Sequence, residues 1–147
     1  MKKALQETQK TFESASNRTP EYLSWHRLFK REFKKFLTNK GATQIEIGKP
    51  NHFDMSGFFT LTGQIWYFSV SDIRWSKESM LIRTAKSYKD YTGGMNQFIS
   101  LQGGEEKFNQ YFEDVMNRPF NIKPITHQLP LVDQINQAQV DCVTSVS

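Results

Sequence analysis

Two groups of residues have types and spacing that suit contact with a charged partner. The first lies in RTAKSYKDYTGGMNQF, Arg83 to Phe98. Arg83, Lys86 and Lys89 can hold phosphates or carboxylates, while Tyr88 and Tyr91 can stack on bases or anchor a protein interface. Gly93 and Gly94 can take backbone angles closed to other residues. No Gly-Lys-Ser/Thr follows the pair, so the stretch is not a nucleotide-binding P-loop. The second group is Arg27, Lys30, Arg31, Lys34 and Lys35, which share one sector at about 100° per residue on a helix. Together they make a phosphate-tracking surface. Trp75 adds an aromatic contact residue. Each group also has a plain alternative role. The cations suit a solvated face opposite a core stripe, and the loop suits a sheet connection whose tyrosines cap the core edge.

Catalytic patterns are weaker. His26, His52 and His127 show no metal-ligand spacing, and no HExxH occurs. His52 and Asp54 share a face if extended, but no nucleophile accompanies them. Glu46, Asp54 and Asp72, with Lys49 beside Glu46, hold part of the logic of a metal-dependent nuclease. The run Glu-Ile-Gly-Lys, however, is not the acid-x-Lys arrangement of the common nuclease core. Asp72 and Arg74 read better as a pair at a strand exit. Cys142 is the single cysteine, which excludes an internal disulfide and a Cys-rich zinc site. The expectation is a protein with no catalytic residue, no metal and no cofactor.

The elements that must carry these residues are legible in outline. Residues 1–16 read as a polar, weakly helical arm with a thin stripe of Leu5, Thr8 and Phe12. Thr19 as N-cap, Pro20 at the first helical position and Glu21 behind it predict a helix start. Tyr22, Trp25, Phe29, Phe33, Phe36 and Leu37 then recur at helical spacing to about Asn39, opposite the cations. Lys40-Gly41 gives the stop. From Gly41 the period falls to two, with Ile45 and Ile47 on one face. Strands follow at about 56–61, 65–71 and 79–85, with Thr62 to Gln64 as the first turn. Phe98, Ile99 and Leu101 read as a short return strand, and a helix from about Glu105 to Asn117 buries Phe108, Tyr111, Phe112 and Val115. Residues 119–147 read as an extended strap anchored by Leu129 and Leu131, with a mobile end. Short connections favour an antiparallel meander. The predicted class is α+β, with four or five antiparallel strands packed on a long amphipathic helix and a C-terminal helix.

Length and charge narrow the functional classes. At 147 residues the chain is one domain large enough to bury a core without disulfides or metal. A net charge of +4 points to partners that carry negative charge. The opening Met-Lys-Lys is broken by polar residues before any apolar signal region, and no run approaches the roughly 18 apolar residues of a membrane span. The expectation is a cytosolic protein with no membrane partner.

The segments GFFTLTGQIWYFSVSDIR and MLIRTAKSYKDYTGG resemble a module of small proteins from phages and other mobile elements, over residues 41–101. The resemblance implies a setting, in which such proteins block host nucleic-acid-handling machines as anti-CRISPR proteins do. Together with the basic surfaces it implies a non-enzymatic inhibitor in the host cytosol. Its helix face and its Arg83–Gly94 loop would occupy an acidic or nucleic-acid-bearing surface of a protein complex. A DNA- or RNA-binding accessory protein and a metal-dependent nuclease or modifying enzyme are the competing expectations.

Overall fold

The computed structural model describes residues 1–14, 20–49, 55–70 and 79–118. Trp75, His52, Asp54, Asp72, Arg74, His127, Cys142 and the 119–147 strap lie outside them. The elements run α1 (Lys2–Ser14), α2 (Pro20–Asn39), β1 (Thr43–Ile47), β2 (Met55–Leu61), β3 (Gln64–Val70), β4 (Ser79–Ala85), β5 (Gln97–Ser100) and α3 (Gly104–Met116). The five strands form one antiparallel sheet in sequence order, β1 to β5, so the expected meander and α+β class are present.

Local chemistry sets these boundaries. Pro20 opens α2 with Glu21 in its first turn. Its end is closed by the N–H of Ala42 donating to the Leu37 carbonyl at 3.0 Å, across Gly41 at φ 94°. The β2–β3 turn is tighter than the sequence suggests. Thr62 and Gly63 alone form it, both at positive φ (52° and 76°), and Gln64 already belongs to β3. Such paired positive angles match the right-handed twist of the flanking strands.

Adjacent aromatics give the sheet two apolar faces. Successive side chains of a strand point to opposite faces. Phe59 and Phe68 therefore face the helices, while their neighbours Phe58 and Tyr67 face away from them. On the helix side Phe33 is the hub. Its ring lies 4.9 Å from Phe68, 6.5 Å from Phe59 and 6.4 Å from Phe108, each edge to face. Phe36 bridges onward to Phe108 and Phe112 of α3 at 5.2 and 5.0 Å. Edge-to-face packing lets the positive ring rim meet the negative ring face.

The polar N-terminal segment is a helix docked on α2. Ala4, Leu5 and Thr8 are buried. Trp25 Nε1 donates to Thr8 Oγ1 at 2.8 Å, and the Thr8 hydroxyl donates to the Ala4 carbonyl at 2.7 Å. Glu32 of α2 accepts the Ala4 N–H at 2.9 Å and lies 3.5 Å from the Met1 amino group. One carboxylate thus satisfies a free helix-start N–H and a buried positive charge. At the other end of α2, Lys40 pairs with Glu113 of α3.

His26 of α2 is 2% exposed, and its Nε2 has no hydrogen-bond partner among the described residues. Burial first, then the charges of Lys30 and Arg27, lower its pKa from 6.5 to about 4.

Replacing Phe33 with Ala removes the ring on which both layers converge. A loss of about 3–5 kcal/mol is expected in urea unfolding, with little repacking to recover it. For His26 the sign follows from the lowered pKa. Above pH 6.5 both states are neutral there; between 6.5 and about 4 the unfolded chain takes the proton that the folded one refuses. Stability is therefore expected to fall with pH through that window by about 3 kcal/mol. His26→Leu is expected to flatten that part of the pH–stability curve.

Candidate interaction surface: the loop between β4 and β5

The loop is organised by a residue that sequence reading passed over. Asp90 accepts three backbone N–H groups, from Lys86 at 2.9 Å, Thr92 at 3.2 Å and Gly93 at 2.8 Å. The Lys86 and Thr92 N–H groups, then that of Gly93 and the Lys86 charge, hold its carboxyl below its ordinary 3.8 despite a small opposing effect of desolvation. Ser87 adds a second turn, its carbonyl accepting the Asp90 N–H and its hydroxyl accepting the Lys89 N–H. The glycines are needed where they stand. A Cβ on Gly93 would come 2.2 Å from the Asp90 carboxylate, and Gly94, at φ 77°, passes so close to β4 that a Cβ would meet the Thr84 carbonyl at 2.3 Å. The available signal was Asp90 three residues ahead of glycine, the pattern of a side chain that caps its own turn.

Arg83 is the second fixture. It is 8% exposed and lies over the Tyr67 ring at 4.6 Å. Its guanidinium donates to Asn96 Oδ1 at 2.9 Å and to the Tyr91 carbonyl. A strand residue thereby grips both limbs of the loop. Arg83 was expected to face a partner; the geometry assigns it to holding the loop, because a cation this buried is retained by its internal acceptors. Tyr88 is also half inward. Its ring packs 5.5 Å from Phe58 and its hydroxyl is 2.7 Å from Thr60 Oγ1.

What remains points outward. Lys86 and Lys89 are exposed and hold no salt bridge among the described residues. Tyr91 keeps 58% exposure while leaning on Phe58 and Tyr67 at 5.3 and 5.8 Å. Met95 is 64% exposed and Phe98 46%. Phe98 stands opposite Leu81 in the β4–β5 register, on the sheet face that Arg83 and Tyr67 share. The large exposed apolar side chains therefore gather around the Arg83 clamp. Phe98 lies in the expected return strand, and strict alternation with buried Ile99 is the signal that places it outside.

The cations of α2 are all exposed, as their spacing requires, and none has an ion-pair partner among the described residues. They do not join the loop. The aromatic stripe of α2 meets Phe59 and Phe68, whereas Tyr88 and Tyr91 meet Phe58 and Tyr67 on the reverse of the sheet. The two basic surfaces expected to act as one lie on opposite sides of the molecule.

Other chemistry is sparse. No group of three or more His, Cys, Asp or Glu converges among the described residues. Glu46 and Lys49 are exposed. A cleft of about 350 Å³ between the start of α1 and the start of α3 is lined by Lys2, Gln6, Gln102 and Glu105, with no nucleophile or histidine on its wall. No helix among the described residues is long and apolar enough to cross a membrane. Compared with protein-family models, curated proteins and solved structures, the chain shows no significant match.

Asp90→Ala removes the acceptor for three loop amides while leaving the sheet unchanged. Hydrogen exchange at Lys86, Thr92 and Gly93 is expected to speed up by about tenfold or more, with the β3 and β4 amides unaffected.

Proposed function

We propose that the protein is a non-catalytic binding protein of a mobile element. In this reading its β4–β5 loop docks on an acidic surface of a host nucleic-acid-handling complex and blocks it in the host cytosol. The observation that carries the reading is the division of labour within the loop. Asp90 and Arg83 hold the backbone, and Lys86, Lys89, Tyr91 and Met95 project outward.

The physics of association favours such a surface. A loop already ordered in the free protein avoids a cost of about 0.5–1.5 kcal/mol for each side chain that would otherwise be immobilised on binding. Two exposed lysines raise the rate of encounter with an acidic patch. Tyr91, with its ring backed by Phe58 and Tyr67, offers a large rigid contact area at the centre. The mobile-element setting rests on the resemblance over residues 41–101. A direct nucleic-acid-binding role is the second reading, supported by the α2 cations.

The test is affinity capture from host lysate with and without nuclease. The tag belongs at the C-terminus, because the Met1 amino group is engaged by Glu32 and Glu105. The expected result is a stoichiometric protein partner that survives nuclease, with Tyr91→Ala plus Lys89→Glu weakening capture by at least about thirtyfold, the size of a hot-spot loss. Material that disappears entirely with nuclease, or that the loop variant retains in full, refutes the reading.

A further inference from the structure

We infer that the outer face of α2 is a separate site for the sugar-phosphate backbone of a nucleic-acid duplex, so that the protein can hold a duplex on one side and its loop partner on the other. The inference goes beyond the loop reading and does not depend on it.

Among the described residues, no acid pairs with the cations of this face. Arg27, Lys30, Arg31, Lys34 and Lys35 are exposed along eight residue steps, about 12 Å of helix. A duplex presents one negative charge per about 1.7 Å of its axis, so a stretch of this length meets several phosphates at once. The acid within the run, Glu32, does not dilute the field. It turns to α1, where it is occupied by the Ala4 N–H and the Met1 amino group. The α3 acids that reach toward α1 and α2 are occupied too, Glu105 by Met1 and Glu113 by Lys40. The positive field is felt inside the protein, since Lys30 and Arg27 both act against protonation of His26 beneath them.

The shape of the surface selects the partner. Two adjacent rows of long cations, Arg27, Arg31 and Lys35 beside Lys30 and Lys34, suit a regular phosphate array. Among the described residues it carries no aromatic side chain, since Tyr22, Trp25, Phe29 and Phe33 are buried on the opposite side of the helix. The described residues therefore set no stacking platform, the usual mark of single-strand binding, on this face, and a duplex is the better fit. The loop, on the reverse of the sheet, stays clear of anything bound here.

Fluorescence anisotropy with a labelled DNA duplex of about 20 base pairs tests this on the intact chain. Binding is expected to weaken between about 50 and 200 mM salt, with a slope of log K against log salt of about −3 to −4.5. Lys30→Glu with Lys34→Glu is expected to reduce affinity at least tenfold (roughly) and make the slope shallower by about 2. Both side chains are exposed, and an unchanged thermal melt confirms that the fold is intact. Tyr91→Ala plus Lys89→Glu is expected to leave duplex affinity unchanged. No duplex binding at the lowest salt, tighter binding to the matching single strand, or loss with the loop variant but not the α2 variant overturns the assignment.

Discussion

Neighbouring aromatics in β2 and β3 force the sheet to be apolar on both faces, and the remaining structure answers that demand. Phe58 and Phe59 are adjacent, as are Tyr67 and Phe68, so alternation alone sends one ring of each pair to either side. Water on either face would leave large rings uncovered. Helices α2 and α3 meet the need on one side, through the Phe33 and Phe36 contacts. On the other side Tyr88 and Tyr91 cover Phe58 and Tyr67. The loop's placement is thus part of the core's requirement, and its outward residues are set by what its inward residues must cover.

Buried polar groups in this fold do positioning work at joints between elements. Glu32 joins α1 to α2, and the Thr8 hydroxyl serves as both acceptor and donor between Trp25 and Ala4. Arg83 joins β4 to the loop through Asn96 and the Tyr91 carbonyl. Glu32 and Arg83 each meet a backbone group, and Thr8 accepts from the buried Trp25 indole N–H. Such joints add modest net stability but fix one arrangement among several similar ones.

Much of this was legible in the sequence, for reasons that can be named. The aromatic stripe of α2, with its proline start and glycine stop, determines both the helix and its cationic reverse. Period-two patterns and short turns determine the sheet order. Three features resisted. The docking of α1 rests on Ala4, Leu5 and Thr8, of which Leu5 alone carries a strong hydrophobic signature. Arg83 looks like a surface cation because its acceptors arise eight and thirteen residues later, inside a loop of unknown path. Most consequential, rings on both faces remove the polar–apolar contrast that would say where the loop folds. The two basic surfaces therefore read as one from sequence and stand apart in space.

The fixtures of the β4–β5 loop are chemically distinct from its displayed side chains. Asp90, Gly93, Gly94, Arg83 and Asn96 hold the backbone through hydrogen bonds and close approach, and the side chains of Lys86, Lys89 and Met95 take no part in those bonds. A substitution at a displayed position leaves the frame standing, whereas one at a fixture collapses the frame for every displayed residue at once. The chemistry that the loop displays can therefore be exchanged one side chain at a time without passing through a misfolded intermediate.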